Sequence, residues 1–271
     1  MSIDRRTLLA NAGILAGAGA LGSAAISAVA EPATADRAAK PNAPDGEEIA
    51  MLVYPGMTML DIMGPYQFLG FLLGKARLHF VTNQPDPRPI KSDAGFVFQP
   101  TITMADCPKD LTLLIMPGGG GASGVLAAAQ DPATIAFIRD RASRSKYVSS
   151  VCSGSLILGT AGLLRGRRAT SHWTVVDNLA QFGAIPTRQR VVEDGNVITA
   201  AGVSSGLDLG LTLIGRLRGR HFAESAQLIS EYAPEPPYNA GNVATAPPGL
   251  RDEILHGRVA YLKEVGALRV L

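Results

Sequence analysis

The chain has 271 residues, a formal net charge of +2 and 46% hydrophobic residues. Arg5 and Arg6 alone account for that charge, so the rest is near neutral and has no basic stripe of the kind that binds nucleic acid. Two cysteines, Cys107 and Cys152, are too few for a disulfide scaffold. The four histidines are scattered without metal-ligand spacing. We therefore expect a globular protein that acts on a small molecule, without nucleic acid or a metal.

The first thirty residues have the pattern of a bacterial export signal. Arg5 and Arg6 precede an uncharged run rich in Ala and Gly that ends in the cleavage pattern Ala28-Val29-Ala30. This predicts a twin-arginine signal peptide over residues 1–30, a periplasmic or secreted mature protein, and no stable membrane insertion after cleavage. An uncleaved anchor and a disordered leader are the alternatives. Residues 31–48, rich in Ala, Pro and Asp, are predicted to form a flexible linker before a catalytic domain over residues 49–271.

Short apolar runs alternate with helical patterns through most of this domain. Runs bounded by turn residues predict strands, and apolar residues at helical spacing predict helices. Predicted strands cover residues 49–54, 76–82, 111–116, 147–151 and 168–173, with hairpins over 90–103 and 190–199. Predicted helices cover residues 60–73, 131–144, 156–162, 175–182, 205–217 and 223–232. The alternation indicates an α/β fold, a three-layer flavodoxin-like sandwich with a mostly parallel sheet.

Three chemically distinctive stretches come soon after predicted strands. Asp61 follows the first strand, four glycines at Gly118–Gly121 follow the strand over 111–116, and Cys152 follows the strand over 147–151. Sheets of this kind bind ligands beyond the carboxyl ends of their strands. We therefore expect these residues to share one rim of the sheet.

Cys152 is predicted to stand on a nucleophile elbow, the sharp turn that joins a strand to a helix. Ser153, Gly154 and Ser155 are small enough for the turn to close and for a substrate to reach the sulfur. The free N–H groups and the positive dipole end of the following helix are expected to favour the thiolate. The alternative is a small buried cysteine that packs as an apolar residue.

These motifs resemble the ThiJ/PfpI superfamily, which is related to the class I glutamine amidotransferases, over residues 49–248. The superfamily resemblance rests on Tyr54–Pro65, Met116–Gly119 and Val151–Gly154. Within the superfamily the chain is similar to the isonitrile hydratases, and this similarity rests on Leu156–Trp173, Phe182–Pro186 and Glu231–Gly241.

The resemblance implies a homodimer, without metal or organic cofactor, that hydrates isonitriles to N-substituted formamides. It implies Cys152 as the nucleophile, Asp61 as the acid and base, and Ser153 as the hydroxyl residue after the cysteine. Threonine is more usual than Ser153 at that position, and serine keeps the hydroxyl while losing a methyl group. Burial among apolar neighbours would raise the pKa of Asp61 toward neutrality. From spacing alone, Asp61 could instead cap the helix that begins beside it.

Gly118, Gly119 and His172 are the remaining candidates for contact with substrate. Backbone N–H groups at Gly119 and Ser153 could stabilise developing charge, although glycines also serve tight turns. His172 lies in a predicted strand, where it could line the substrate pocket or be purely structural.

Two other functions stay open at this point. A glyoxalase or deglycase that acts on α-oxoaldehydes usually has a glutamate in place of Asp61 and a catalytic histidine, so the sequence favours it less. A redox or ligand sensor would use Cys152 without turnover. The same domain occurs in transcription regulators that carry a C-terminal helix-turn-helix. About twenty residues follow Pro248 here, so DNA binding is not expected.

Overall fold

The computed structural model describes residues 46–271. The strands of this region, in chain order, are β1 (Glu47–Val53), β2 (Ala76–Thr82), β3 (Ile90–Lys91), β4 (Val97–Phe98), β5 (Ile102–Thr103), β6 (Leu111–Met116), β7 (Ser145–Val151), β8 (Arg168–Ala169), β9 (Ile185–Pro186), β10 (Val191–Asp194) and β11 (Val197–Ala200). The α-helices are α1 (Met59–Leu69), α2 (Ala127–Gln130), α3 (Pro132–Ala142), α4 (Ser155–Thr160), α5 (Ser205–Arg218), α6 (Arg220–Ile229), α7 (Leu250–His256) and α8 (Val259–Ala267). Segments of 3-10 helix cover Gly70–Leu72, Cys152–Gly154 and Val176–Phe182, and a kinked turn covers Ala122–Leu126.

Seven strands form the main sheet, in the order β10-β11-β7-β6-β1-β2-β5. Neighbours are parallel except β10 and β11, which form an antiparallel hairpin at one edge. Ile49 to Val53 of the central strand β1 have no exposed surface. This burial explains their continuous apolar sequence, because alternation with polar residues is expected only where one face meets solvent. The predicted α/β fold with a mostly parallel sheet is confirmed.

The helices that flank the sheet fall into two groups. α1 packs closely against α5, where a Cβ atom on Gly64 would lie 3.1 Å from the Gly206 backbone and one on Gly210 would lie 3.0 Å from Pro65. Approaches this close favour residues without a side chain. The second group is α2, α3 and α4, which contact one another. Together with the sheet, these groups form the three layers that the sequence predicts.

Several element boundaries differ from the sequence predictions. β1 begins at Glu47, inside the predicted linker, and Glu47 forms an ion pair of 2.5 Å with Arg218 of α5. The strand predicted over 168–173 is only two residues long, and the predicted helix over 175–182 is a 3-10 helix. The sequence pattern predicts neither α7 nor α8. The strands predicted over 76–82 and 111–116 are confirmed at both ends.

The predicted signal peptide over residues 1–30 and the linker up to residue 45 lie outside the described residues. Within residues 46–271, no helix has both the length and the apolar character that crossing a bilayer requires. The predictions about export therefore stay predictions.

Candidate active site

Cys152 stands on the predicted elbow between β7 and α4. Its backbone φ is 58°, a left-handed conformation that is sterically costly for any residue with a Cβ atom. A Cβ on Gly154 would lie 2.4 Å from the carbonyl oxygen of Met116. Only glycine therefore lets the turn press against the end of β6. The predicted strand, turn and helix around the cysteine are confirmed.

Asp61 lies in the first turn of α1 and has no exposed surface. Its Oδ2 atom accepts a hydrogen bond of 2.8 Å from the backbone N–H of Gly118. Its Oδ1 atom is buried without a hydrogen-bond partner among the described residues. The N-cap residue of α1 is Thr58, three positions before Asp61. The carboxyl of Asp61 therefore points across to the glycine loop and does not cap its own helix.

The carboxyl of Asp61 and the thiol of Cys152 are neighbours, and each affects the ionisation of the other. Burial raises the pKa of Asp61 to about 8, against the opposing effects of the Gly118 hydrogen bond and the Cys152 thiol. Burial also raises the pKa of Cys152 to about 12, and the Asp61 charge adds to that effect. Both groups consequently hold their protons at neutral pH.

This electrostatic arrangement confirms one sequence expectation and corrects another. The raised pKa of Asp61 was expected from its apolar neighbours and is confirmed. The expectation that the helix would favour the thiolate of Cys152 is wrong for the resting site. N–H groups of Val203 and Ser153 do lower the pKa of Cys152, but burial of the sulfur and the adjacent carboxyl outweigh them.

Ser153, Gly118 and Gly119 form a close-packed wall beside the sulfur. The Ser153 hydroxyl accepts a hydrogen bond of 3.2 Å from the backbone N–H of Gly119. A Cβ on Gly118 would lie 2.5 Å from the Ser153 hydroxyl oxygen and 3.0 Å from Oδ2 of Asp61. The predicted rim of Asp61, the glycine loop and Cys152 is therefore present. In the resting site, the backbone N–H of Gly118 already donates to Asp61, and that of Gly119 already donates to the Ser153 hydroxyl.

His172 is not paired with the cysteine. Its Nδ1 atom lies 2.8 Å from the hydroxyl of Thr174, and its ring packs on Gly202. Burial, with a contribution from the charge of Arg258, lowers the pKa of His172 to about 4, so the imidazole is neutral at pH 7. His172 instead lines a cavity of about 470 Å³.

That cavity lies beside the catalytic candidates, and its lining includes neither Cys152 nor Asp61. Its walls include Leu60, the neighbour of Asp61, and Ser171, whose hydroxyl donates a hydrogen bond of 3.0 Å to the carbonyl oxygen of Cys152. The cavity therefore abuts the elbow from one side. Across residues 46–271, His, Cys, Asp and Glu do not gather into a group of three that could hold a metal ion.

Two tyrosines near the site are absent from the candidates drawn from the sequence. The buried hydroxyl of Tyr54 donates hydrogen bonds of 2.6 Å to the carbonyl oxygen of Pro117 and 3.1 Å to that of Gly118. Burial raises the pKa of Tyr261, on α8, and the Ser153 hydroxyl opposes that effect. Tyr54 stands in the motif around Asp61, a signal that could have found it. Tyr261 has no such signal, because only the folded chain brings it to the elbow.

The fold and the site define an α/β protein with a cysteine on a strand-to-helix elbow and a buried, protonated carboxyl beside it. The model of the DJ-1/PfpI family matches residues 47–216, and the chain belongs to this family. The resemblance found in the sequence motifs is confirmed.

Relatives of known name cover much of the chain. Isonitrile hydratase of Pseudomonas putida is 43% identical over 206 residues, which are 76% of this chain and 87% of that protein. The crystal structure of a ThiJ/PfpI family protein from Pseudomonas syringae is 50% identical, with a TM-score of 0.80 over 89% of this chain and 97% of its own. A glutathione-independent glyoxalase of Caenorhabditis elegans is 24% identical over 151 residues, 55% of this chain and 79% of that protein.

Proposed function

We propose that the protein is a cysteine-dependent hydratase that converts isonitriles to N-substituted formamides. The observation that carries the proposal is the pairing of the buried Asp61 carboxyl with the Cys152 thiol. The likeness to isonitrile hydratase of Pseudomonas putida supports the substrate class. The reaction needs a nucleophile and a group that both gives and takes protons, and this pair supplies them.

The first step adds the thiol to the terminal carbon of R–N≡C. Asp61 donates its proton to that carbon while the sulfur of Cys152 bonds to it, and the thiol proton passes to the carboxylate that is left. The product is a thioimidate, R–N=CH–S–Cys152, with Asp61 protonated again. Because both groups begin neutral, no free thiolate has to accumulate, in keeping with the raised pKa of each. The unpartnered Oδ1 of Asp61 is free for this exchange.

The second step adds water to the thioimidate. Asp61 donates its proton to the imine nitrogen, and its carboxylate takes a proton from the attacking water as the C–O bond forms. The C–S bond of the adduct then breaks, the hydroxyl proton moves to the sulfur, and R–NH–CHO leaves. The hydroxyl of Ser153 and the N–H of Gly119, which face each other at 3.2 Å, supply the polar wall for these transfers.

Turnover of cyclohexyl isocyanide to N-cyclohexylformamide tests the proposal. The wild type is expected to form the product, and Cys152→Ala and Asp61→Asn are expected to lose it. Cys107→Ala is the matched control, because Cys107 is also a buried free cysteine but lies away from the elbow. It is expected to keep wild-type activity. Turnover that survives in Cys152→Ala or Asp61→Asn would refute the roles assigned to these residues.

A wild type that is inactive while Cys152 is reduced would refute the hydratase. Methylglyoxal is then the substrate to test, since a glyoxalase or deglycase is the rival enzyme. The neutral His172, which bonds Thr174 and not Cys152, does not favour that rival, because its chemistry usually includes a catalytic histidine close to the cysteine.

We also propose export by the twin-arginine route, on the pattern of residues 1–30. A reporter fused to this segment is expected to reach the periplasm, and Arg5→Lys with Arg6→Lys is expected to block it. Unchanged transport of the double variant would refute the twin-arginine assignment.

A further inference from the structure

The cavity beside the elbow adjoins a second cavity. The first has a volume of about 470 Å³ and the second of about 490 Å³, and they share the lining residues Trp173, Arg188, Asn242 and Val243. Each volume lies within the range of about 300–1,000 Å³ that is usual for small-molecule sites. We call the cavity beside the elbow the near cavity and its neighbour the far cavity. Their shared wall makes them two parts of one space.

The near cavity borders the segments that carry both reacting groups. Among its lining residues, Ser171 donates a hydrogen bond of 3.0 Å to the carbonyl oxygen of Cys152, and Ala201 accepts one of 2.9 Å from the Cys152 backbone N–H. Leu60, another lining residue, directly precedes Asp61. A group bound in the near cavity therefore lies against the elbow and the start of α1.

The lining of the near cavity is apolar where it is not already paired. Its apolar side chains are Leu60, Trp173, Val176, Val203 and Val243. Its two arginines both have carboxylate partners, because Arg190 forms an ion pair with Asp208 and Arg188 forms one of 2.5 Å with Asp177. The near cavity consequently fits an uncharged, largely apolar group.

The far cavity keeps one positive charge without a carboxylate partner. Its charged lining residues are Asp177, Arg188 and Arg251. Asp177 and Arg188 pair with each other, whereas Arg251 forms no ion pair within the described part of the chain. Asp252 and Glu253 follow Arg251 on α7, but they line neither cavity. A guanidinium in this state is suited to a carboxylate, which it can bind through two parallel hydrogen bonds.

We propose that the protein takes isonitriles whose substituent ends in a carboxylate, with the apolar part of the substituent in the near cavity and the carboxylate on Arg251 in the far cavity. Arg251 is then a specificity-determining residue that touches only the substituent. The isonitrile end of this assignment rests on the proposed hydratase function. The binding of an acidic tail rests on the two cavities and is tested without turnover.

The fluorescence of Trp173 measures occupancy of these cavities. Trp173 is the only tryptophan of the chain and lines both cavities, so a change in the signal reports on this site. The probe is N-formyl-ε-aminocaproate, the formamide that an acidic isonitrile of this length would give, and its uncharged amide is the matched ligand. The wild type is expected to bind the acid about tenfold more tightly than the amide.

Variants of Arg251 test the source of this preference. Arg251→Gln is expected to bind acid and amide equally, and Arg251→Glu is expected to prefer the amide. Arg220→Gln is the control, because it removes the same charge from α6, where Arg220 lines neither cavity. It is expected to keep the tenfold preference. Arg251 is exposed on a helix without buried residues, so these variants are expected to fold.

Protection of Cys152 tests whether the bound acid extends to the elbow. Alkylation by iodoacetamide is followed by peptide mass at each cysteine. A concentration of N-formyl-ε-aminocaproate that saturates the wild type is expected to slow alkylation at Cys152 and to leave Cys107 unchanged. In Arg251→Gln the same concentration is expected to protect Cys152 less.

Turnover of ε-isocyanocaproate and its amide tests the substrate class. The wild type is expected to show about tenfold higher kcat/KM for the acid, through a lower KM, because Arg251 holds the substituent and not the reacting carbon. Arg251→Gln is expected to raise KM for the acid alone. Cyclohexyl isocyanide, which has no acidic group, is expected to be turned over equally by wild type and Arg251→Gln.

Equal affinity of the wild type for acid and amide would overturn the proposal, and so would an acid preference that survives in Arg251→Gln. If none of the isonitriles is turned over, the hydratase function fails. The fluorescence titrations then still decide whether the far cavity binds an acidic tail.

Discussion

The buried carboxyl of Asp61 and the thiol of Cys152 meet at the carboxyl edge of the sheet, and together they hold two protons at neutral pH. They come from positions 91 residues apart along the chain, and the backbone N–H of Gly118 donates a hydrogen bond of 2.8 Å to Asp61. A neutral pair is suited to a reaction that adds H and S to one carbon. The pH dependence of activity and of stability therefore reports on this pair.

The proposed reaction is expected to slow as the pH rises through about 8, where Asp61 loses its proton. Once Asp61 is mostly ionised, kcat should fall about tenfold per pH unit, because the acid that protonates the substrate is consumed. Product formation from cyclohexyl isocyanide between pH 6 and about 10 measures this. Activity that instead rises through this range, as a thiolate forms, would contradict attack by a neutral pair.

The same carboxyl is expected to make the folded state less stable as the pH rises. The pKa of Asp61 is about 8 in the folded protein against 3.8 for an unperturbed group, so the folded state binds the extra proton between these values. Across that window, the Asp61 contribution to the free energy of unfolding falls by up to about 1.4 kcal/mol per pH unit. Above the folded pKa the loss is complete.

Urea unfolding of wild type and Asp61→Asn across pH 5 to about 8 measures this slope. The variant has no titrating group at this position, so its stability should fall less steeply with pH than that of the wild type. Glu48→Gln is the control. Burial acts to raise the pKa of Glu48, but Arg77 and His79 lower it overall, so this carboxylate stays ionised across the range and its removal should leave the slope unchanged. Parallel curves for wild type and Asp61→Asn would contradict a buried, protonated Asp61.

The glycine loop offers a matched pair of variants. A Cβ on Gly118 would lie 2.5 Å from the Ser153 hydroxyl oxygen and 2.7 Å from the Ser153 nitrogen, so Gly118→Ala must push the catalytic wall apart. Misplacement of this kind is expected to lower kcat about a hundredfold. A Cβ on Gly120 has its nearest neighbour 3.7 Å away on Asp93, so Gly120→Ala should stay close to wild type. Equal activity of the two variants would contradict the described packing.

Much of this architecture follows from local sequence. The strand over Leu111–Met116 is an apolar run interrupted only by Thr112, and the strand over Ala76–Thr82 alternates Leu78 and Phe80 with Arg77 and His79. Turn residues follow both strands, and both are found with the predicted ends. The elbow at Cys152 is likewise set by its small neighbours. The short strand at Arg168–Ala169 is predicted too long, because its extended flank turns away after two paired residues.

The remaining features depend on contacts between distant segments. The raised pKa of Cys152 follows from burial of the sulfur and from the charge of Asp61. The elbow sequence contains neither, and together they overturn the expectation drawn from the helix dipole. The effect of Ser153 on the pKa of Tyr261 likewise links residues more than one hundred positions apart. Helical periodicity around Tyr261 could at best predict α8, and it carries no information about where that helix docks.

Because the backbone at Cys152 is left-handed, a glycine variant there is expected to be at least as stable as an alanine variant, the reverse of the usual order in helices. In ordinary helical positions glycine is less stable than alanine by roughly 0.5–1 kcal/mol. At a φ of 58°, alanine retains the steric cost that glycine lacks, so Cys152→Gly should be at least as stable as Cys152→Ala. Ser155, with a φ of −62°, is the control position, where alanine should be the more stable. Urea unfolding of the four variants measures both orders, and a clearly less stable Cys152→Gly would contradict the strained elbow.

Tyr54 is expected to hold the glycine loop in place beneath the site. Its hydroxyl donates a hydrogen bond of 2.6 Å to the carbonyl oxygen of Pro117, and Tyr54→Phe would leave that buried oxygen without its donor. The expected loss is about 1–3 kcal/mol in the free energy of unfolding, with a lower kcat because Gly118 is less firmly placed against Asp61. Tyr66→Phe is the matched control, since the Tyr66 hydroxyl forms no hydrogen bond to the described residues while its ring packs on Phe80. If both variants lost the same stability, the ring and not the hydrogen bond would be what Tyr54 contributes.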